Sequence, residues 1–413
     1  MRWRIAILVS VAIAISYLDR QTLPVAVQSI SRDIPLNNSQ FSALQSAFLV
    51  SYALMYAGGG KLVDVLGTRL GFTVIMLFWS LACASHALAT GFALLLASRF
   101  LLGMGEGGGF PAATRAVSEF FPAQERATAM GIINAGTAVG AVVAPPLIAI
   151  VLLHASWRWI FIITGCFGAL WTLAWRLFPA APNSAISHPI SGSTAGSHAP
   201  PLAWFRLFGI RETWGLVTAK FLSDAAWFFY LFWLPKYLYD ARGFDIKAVG
   251  TFAWMPSAAA GVGCLLGGGF SSYLVSRHFS LGAARKTALG LSAALMPFVV
   301  LIPHVAVSWA IVLFCVAYFG QQSWSTLVMV LPADLFPQSV VGSVAGLVGF
   351  GGAMGGVAFG ELAGYLLDRG FGYGTVFALA GTLHVVAFAI ILASVPAVEP
   401  LALNHTLGCE GAS

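Results

Sequence analysis

In the first half of this 413-residue sequence, four charged residues lie deep within long apolar segments, where charge is costly. Asp19 and Arg20 lie in the first such segment, and Arg99 and Glu106 lie in the fourth. A charged side chain at the centre of a bilayer costs roughly 2.5–3.5 kcal/mol on insertion scales. We therefore expect these four residues to face a water-filled cavity or to pair with one another, and to serve a function there.

Helix geometry separates the first two of these charges. Tyr17 and Arg20 are three residues apart and share a helix face, whereas Asp19 points about 100° away from Arg20. One of the two charged residues can thus face a cavity while the other faces a neighbouring helix. The alternative is a structural ion pair between helices.

The fourth apolar segment combines an acid and a base with closely spaced glycines. Arg99 and Glu106 are seven residues apart, on one helix face and separated by about 10 Å. A buried carboxylate near an arginine can bind and release protons near neutral pH, which makes Glu106 a candidate proton carrier. The alternative is that Glu106 is a structural partner of Arg99. Two Gly-x-x-x-Gly spacings within 103–109 predict the close approach of another helix.

The second half of the chain has a charged pair of its own. Lys220 and Asp224 are at helical i, i+4 spacing and can form an ion pair, which either lines a cavity or neutralises itself at the cavity edge. Asn134 and Tyr52, in the first half, are weaker candidates for binding residues. Each of them is equally suited to a hydrogen bond between helices.

A polar run at 321–326 interrupts another apolar segment. Its amides and hydroxyls are best satisfied in a solvated cavity and suit the recognition of hydroxyl groups. The candidate binding residues there are Gln322, Trp324, which offers a stacking surface, and Ser325. We also count Trp227 among the candidates.

The composition requires these residues to be held by membrane-spanning helices. Apolar residues make up 59% of the chain and charged residues 9%, whereas a soluble protein has about 25% charged residues. A spanning helix needs about 20 apolar residues. The sequence therefore predicts an all-α membrane protein with twelve transmembrane helices. The predicted spans are 5–28, 41–61, 70–90, 92–117, 126–152, 157–178, 210–237, 246–275, 286–303, 306–332, 339–366 and 371–395.

An internal repeat divides these helices into two pseudo-symmetric six-helix bundles. Glu-Phe-Phe-Pro ends at Pro122 and Asp-Leu-Phe-Pro ends at Pro337, and the same interval separates Gly131 from Gly346. Two six-helix halves related by duplication predict a binding site between them, near the membrane midplane. The predicted parts are an N-terminal bundle (1–178), a cytoplasmic linker (179–204) rich in Pro, Ser and Gly, a C-terminal bundle (205–396) and a cytoplasmic tail (397–413).

Charge distribution and absent motifs bound the remaining possibilities. The net charge of +6 is explained by basic residues in loops on the side of the N-terminus, which places both termini in the cytoplasm and requires no nucleic-acid partner. The sequence has no nucleotide-binding motif, no metal-ligand cluster and no catalytic motif such as His-Glu-x-x-His. We therefore predict no cofactor, no metal and no enzyme.

Several motifs together resemble one known family. The segment Gly60–Arg69 looks like the signature between helices 2 and 3 of the major facilitator superfamily. Tyr17–Arg20, Arg99–Pro111 and Ser118–Arg126 resemble its anion:cation symporter family, whose bacterial members take up sugar acids with protons. Within that family, Asp64–Thr68 and Phe252–Pro256 look most like the hexuronate transporters.

The resemblance implies specific roles. Arg20 would hold the substrate carboxylate, Asp19 and Glu106 would carry the coupled proton, and Arg99 would tune Glu106. Tyr17 and Tyr52 would complete the N-terminal wall, and Gln322, Trp324 and Ser325 would read hydroxyl groups from the C-terminal half.

The loop between predicted helices 2 and 3 is a candidate gate. Asp64 and Arg69 can pair with charges such as Arg126 when the inner side is shut. The alternative is an ordinary polar loop.

From these observations we expect a monomeric symporter of the inner membrane, which imports a sugar acid anion with protons by alternating access. Glucuronate and galacturonate are the expected substrates. Another organic anion, such as an aldonate, an aldarate or an aromatic acid, is the first alternative, and a receptor that binds an anion without transport is the second.

Overall fold

The computed structural model describes residues 2–121, 123–177, 204–336 and 338–401. The predicted linker up to residue 203 and the tail beyond residue 401 lie outside this part. Side chains are not described for residues 57–61, 64, 118, 123–128, 204–206 and 338–343. Thirteen α-helices are present in the described part: α1 (Arg2–Asp33), α2 (Asn38–Ser85), α3 (Phe92–Gly107), α4 (Gly109–Phe120), α5 (Ala123–His154), α6 (Trp157–Leu177), α7 (Arg211–Arg242), α8 (Ile246–Phe252), α9 (Trp254–Ser276), α10 (Leu281–Ala294), α11 (Val307–Leu335), α12 (Gln338–Asp368) and α13 (Gly372–Ser394).

These helices make twelve membrane crossings, as the sequence predicts. The long helix α2 holds two crossings because its backbone turns at Gly67, where φ is 77° and ψ is 158°. Three other crossings consist of two pieces each: α3 with α4, α8 with α9, and α10 with the 3₁₀ helix Met296–His304. Within the described residues, nine segments are long and apolar enough to span a membrane by length and composition alone.

Alternate crossings place the connections on two sides of the molecule. We call the side with the start of α1 and the end of α13 the terminal side, and the opposite one the far side. The far side holds the connections 33–38, 242–246 and 368–372. Residues 2–177 and 204–401 supply six crossings each.

Glycines allow the helices of each half to touch backbone to backbone. A Cβ atom at Gly103 of α3 would lie within 3.0 Å of the Phe48 carbonyl oxygen of α2. A Cβ atom at Gly107 would lie equally close to the Tyr52 carbonyl oxygen. The predicted close helix approach is thus confirmed. In the C-terminal half, Gly355 of α12 makes the equivalent contact with α7.

The internal repeat has a structural counterpart. Phe121 ends α4 and Phe336 ends α11, and both have extended backbone conformations. Each donates its backbone N–H to the carbonyl four residues earlier, at 3.0 Å in both cases. The two motifs therefore stop equivalent helices in the same way.

A proline in α5 leaves one backbone acceptor for a side chain of α1. Pro145 lacks an N–H, so the Ala141 carbonyl has no donor from the helix at that position. Gln21 of α1 donates to this carbonyl at 3.2 Å. A buried amide is thus satisfied one residue after Arg20.

The two halves are joined on the far side. Asp368 at the end of α12 accepts from the backbone N–H groups of Asn38 (2.9 Å) and Ser39 (2.8 Å) at the start of α2. The Tyr239 hydroxyl of α7 donates to the Val25 carbonyl of α1 at 2.7 Å. These contacts close the far side between the halves.

Candidate functional site

A cavity of about 1070 Å³ lies between the halves and extends from the terminal side to the middle of the helices. Its wall is mostly apolar and aromatic, and it includes glycines of α12. The residues that line the cavity are Tyr17, Tyr52, Ala53, Tyr56, Phe110, Phe208, Thr213, Trp214, Val217, Lys220, Phe221, Met329, Gly346, Leu347, Gly349, Phe350, Gly351, Ala353 and Met354.

Arg20 lies directly behind two aromatic rings of this wall. The centre of its guanidinium is 4.6 Å from the ring centroids of both Tyr17 and Tyr52, and 5.6 Å from that of Phe48. Its Nε donates to Glu106 Oε2 at 2.8 Å. The cation is therefore held by one carboxylate and stacked against phenol rings that face the cavity.

Glu106 is buried and pairs with Arg20 across two helices. Ser16, one turn before Arg20, donates to the same Oε2 at 2.6 Å. Among the described residues, no hydrogen-bond partner reaches the other oxygen, Oε1. A buried polar atom without a partner points to a proton, a water molecule or a ligand at that position.

Arg99 is not the ion-pair partner of Glu106 in this structure. Its Nη2 donates to the Gln45 side chain at 2.6 Å, and its guanidinium lies 4.8 Å from the Phe48 ring centroid. Its Nε and Nη1 find no partner in the part of the chain that the structure describes. The alternative pairing of Glu106 with Arg99 is thus not found, and the cation that pairs with Glu106 is Arg20.

Asp19 faces a different neighbour from Arg20, as helix geometry predicts. The Trp79 indole in the second half of α2 donates to Asp19 Oδ2 at 2.6 Å. Asp19 is fully buried, and its Oδ1 has no partner among the residues described. We call Asp19, Arg20, Arg99 and Glu106 the N-terminal charge cluster.

A second set of buried polar groups lies in the C-terminal half. Lys220 donates to Asp224 Oδ1 at 2.9 Å and to the Ser325 hydroxyl at 2.6 Å. Gln321 donates to the same Asp224 oxygen at 3.2 Å and also contacts His384. Lys220 belongs to the cavity wall, so the two charges neutralise each other while Lys220 lines the cavity.

The remaining predicted binding residues lie in varied surroundings. Trp324 is fully buried, with its ring centroid 5.6 Å from that of His384. Trp227 is half-buried, and its ring centroid lies 5.2 Å from that of Tyr318. Gln322 is half-buried, and Asn134 of α5 is exposed.

The predicted gate residues are only partly described. The side chains of Asp64 and Arg126 lie outside the described part. Arg69 follows the turn at Gly67 and donates to the Arg176 carbonyl of α6 at 2.7 Å. Beside it, the Thr68 hydroxyl contacts the Glu119 carboxylate at the end of α4.

Sequence reasoning missed four residues around the buried charges. Ser16, Gln45 and Trp79 bond to a charged side chain directly, and His384 contacts Gln321 beside Asp224. Ser16 precedes Arg20 by four residues, and this helical spacing indicates a shared face. Gln45 and His384 are polar residues inside apolar segments, which is a usable signal. Nothing in the sequence indicates that Trp79 meets Asp19.

Each half of the protein thus places one cation at or behind the cavity wall, and each cation already pairs with a carboxylate. Arg20 stands behind Tyr17 and Tyr52, and Lys220 stands on the opposite half. Cations on buried walls of this kind suit a small anionic molecule, because charge-assisted hydrogen bonds are strong where water is scarce.

Comparison with known proteins agrees with this architecture. The profile of the Major Facilitator Superfamily matches residues 9–360. The chain is 30% identical to the hexuronate transporter of Escherichia coli K12, covering 98% of this chain and 97% of that protein. It is 32% identical to the galacturonate transporter of Dickeya chrysanthemi, covering 72% of this chain and 89% of that one.

A solved structure supports the same fold. The crystal structure of a D-xylose-proton symporter superposes with a TM-score of 0.77 at 14% identity, covering 95% of this chain and 97% of that one. From the match over most of its length, this chain belongs to the major facilitator superfamily, whose members are membrane transporters and not enzymes.

Proposed function

We propose that this protein is a proton-coupled symporter that imports a sugar acid anion, most specifically a hexuronate such as glucuronate or galacturonate. The observation that carries the proposal is the ion pair between Arg20 and Glu106 behind the cavity wall. The relatives named as hexuronate and galacturonate transporters support the substrate class.

The pair links proton binding to anion binding. A proton on Glu106, at the oxygen that has no partner, removes the negative charge beside Arg20. The guanidinium is then left without a counter-ion in a buried site, which is costly until a substrate carboxylate takes that place. Proton and anion therefore favour each other's binding, as symport requires.

Asp19 offers a second position for a proton. Moving one charge across a membrane against 100 mV costs about 2.3 kcal/mol, so a single proton with a monoanion gains nothing from the membrane potential. Two protons, one on Glu106 and one on Asp19, would make the complex positive and let the potential drive uptake. Arg99, the other cation of the N-terminal charge cluster, would set how readily each is protonated.

The cavity supplies the remaining contacts. Tyr17 and Tyr52 would orient the carboxylate at Arg20, and Ser325 on α11 would meet the hydroxyl end of the sugar. Gln322, Trp324, Trp227 and Asn134 remain proposed members of the substrate site. Of these four, Trp324 would act through its contact with His384, because its ring is fully buried.

The proposed orientation follows from the basic loops, and the proposed transport cycle is alternating access. With both termini in the cytoplasm of a bacterial inner membrane, the cavity opens inward and the closed far side faces outward. Uptake would require the contacts of Asp368 and Tyr239 to part while the terminal side closes. Asp64, Arg69 and Arg126 are the proposed inner gate, and one chain contains the whole pathway, so a monomer suffices.

The test is uptake of radiolabelled glucuronate into proteoliposomes that contain the purified protein. We expect accumulation above equilibrium when the outside is acidic, competition by unlabelled galacturonate, and collapse of the accumulation with a protonophore. Protein-free liposomes are the control. Uptake that is equally fast and equally high without a proton gradient would contradict coupling, and no uptake of either hexuronate would contradict the substrate.

A further inference from the structure

Lys220 is the second cation at the cavity, and it does not stand there as a free charge. Its side chain is 7% exposed and that of Asp224 is 11% exposed. The pair is therefore largely removed from water, where a carboxylate at 2.9 Å strongly cancels the field of the ammonium.

Three helices fix Asp224 beside this lysine. Lys220 and Asp224 are one turn apart on α7, and Gln321 of α11 donates to Asp224. On the third side, α12 passes so closely that a Cβ atom at Gly352 would lie within 3.0 Å of Asp224 Oδ2. The carboxylate thus has no room to swing away toward α12.

The lysine keeps one donor for a ligand. An ammonium group has three N–H donors. Among the described residues, Asp224 and Ser325 accept two of them. The third can reach an oxygen in the cavity, because Lys220 is part of the cavity wall.

The chemistry of that oxygen decides which ligands fit. A hydroxyl or ring oxygen gains a hydrogen bond from Lys220 and meets no repulsion from Asp224. A second carboxylate would gain the same bond but would lie close to the Asp224 carboxylate in a poorly solvated place. Repulsion of an unwanted ligand is a recognised source of specificity.

We propose that Asp224 is a specificity-determining residue that keeps Lys220 from acting as a second anion site, and so makes the cavity selective for sugar monocarboxylates over dicarboxylates. This inference rests on the proposed function, because it assumes that the cavity binds a sugar acid with one carboxylate at Arg20.

The experiment measures binding to the purified full chain by ligand-induced rise of the melting temperature. Glucuronate and glucarate are the probes, since both have a carboxylate at C6 of the same six-carbon chain and glucarate has a second carboxylate at C1, where glucuronate has the carbonyl carbon that closes its ring. For each variant the quantity of interest is the ratio of the two apparent dissociation constants. The natural protein should bind glucuronate at least about tenfold more tightly than glucarate. A factor of this size corresponds to the loss of one charge-assisted hydrogen bond.

Asp224→Asn should shift this ratio about tenfold toward glucarate, because Lys220 then becomes an uncompensated cation. Asp240→Asn is the matched control. Asp240 accepts from Lys236 with the same i, i+4 spacing on the same helix, but near the far side and with 40% of its side chain exposed. Its ratio should stay within about twofold of the natural value, since exposed pairs contribute little.

The double variant Lys220→Gln with Asp224→Asn should lose the gain for glucarate, because the responsible cation is gone. If Asp224→Asn is not recovered as folded protein, Asp224→Ser replaces it, since it removes the same carboxylate with a smaller side chain.

Three outcomes would overturn the inference. One is an unchanged ratio in folded Asp224→Asn, another is a gain for glucarate that persists in the double variant, and the third is a natural protein that prefers glucarate. A failure of the proposed substrate is recognised separately: glucuronate gives no stabilisation, and the same ratio is then measured with galactonate and galactarate. Absence of binding in both series contradicts both proposals.

Discussion

In the N-terminal half, the ion pair of Arg20 and Glu106 joins α1 to α3, whereas in the C-terminal half the pair of Lys220 and Asp224 lies within one turn of α7. Both pairs are buried and both lie at or behind the cavity wall. They differ in what holds their partners together. The first pair depends on how two helices stand relative to each other, and the second is fixed by the geometry of a single helix.

This difference indicates how each pair can respond to transport. A pair between helices can lengthen when the helices shift, and protonation or substrate binding can replace one partner. A pair at i, i+4 spacing stays together through any movement of its helix. We therefore expect the N-terminal pair to couple ion and substrate, and the C-terminal pair to act as a constant part of the wall.

The largest effect is expected from changing Arg20, the cation proposed to link proton binding to substrate binding. Arg20→Lys keeps the charge but loses the planar group that stacks on Tyr17 and Tyr52 and binds a carboxylate with two parallel bonds. We expect glucuronate affinity to fall about a hundredfold or more, the loss of two charge-assisted bonds. Thermal stabilisation by ligand measures it, with exposed Arg32→Lys on the same helix as control. Normal affinity would remove Arg20 from the site.

The second effect separates exchange from accumulation. Glu106→Gln imitates a permanently protonated acid, so Arg20 stays free for the substrate while no proton can be released. Counterflow of labelled glucuronate should persist, whereas accumulation driven by a pH gradient should fall to the equilibrium level. The exposed Glu361→Gln on α12 is the control and should accumulate normally. Unchanged accumulation in Glu106→Gln would assign the proton to another residue, Asp19 first.

The third effect tests the dependence on helix position. Gly103→Ala would drive a methyl group into the Phe48 carbonyl and push α3, with Glu106, away from α2. Overpacking of this kind costs roughly 1–3 kcal/mol, so we expect a lower melting temperature together with slower uptake. Gly131→Ala is the control because no atom in the described part of the chain lies within 4 Å of its Cβ position. A stable and fully active Gly103→Ala would show that the N-terminal pair tolerates displacement.

The smallest effect concerns the contact between halves. Like the Arg20–Glu106 pair, the bonds of Asp368 to the start of α2 join separate helices. In the proposed alternating-access cycle they break each time the far side opens. Asp368→Asn should weaken these bonds by about 1 kcal/mol, or about fivefold in the population closed on the far side, because hydrogen bonds to a charged acceptor are stronger than those to a neutral one. Labelling of a cysteine at the buried position Ser42 from the far side should accelerate accordingly. The exposed Asp245→Asn, which caps α8 within one half, should leave labelling unchanged.

The sequence was sufficient to predict the membrane crossings and to identify the buried charged residues. Hydropathy is a property of short segments, so twelve apolar runs predict twelve helices wherever they are later placed. Asp19, Arg20, Glu106 and Lys220 are recognisable because each is costly in an apolar segment.

The pairing of these charges could not be predicted in the same way. A helix that is apolar on all sides carries no pattern that fixes its rotation relative to its neighbours. The assignment of Glu106 to Arg20, and of Arg99 to Gln45, follows from the rotation of α1, α2 and α3 about their axes. The burial of Trp324 against His384 depends likewise on how α11 and α13 meet.

The glycine contacts have a mechanical consequence. Where Gly103 meets α2, Gly136 meets α1 and Gly355 meets α7, backbone touches backbone and no side chain can change rotamer to absorb a small slip. All three seams lie within a half, so each half should turn as a stiff lever. A helix of 32 residues such as α1 is about 48 Å long, and a tilt of about 10° about its middle moves its two ends by about 4 Å each, in opposite directions. In the proposed cycle, a modest rotation at the N-terminal charge cluster would therefore widen one mouth of the protein and narrow the other.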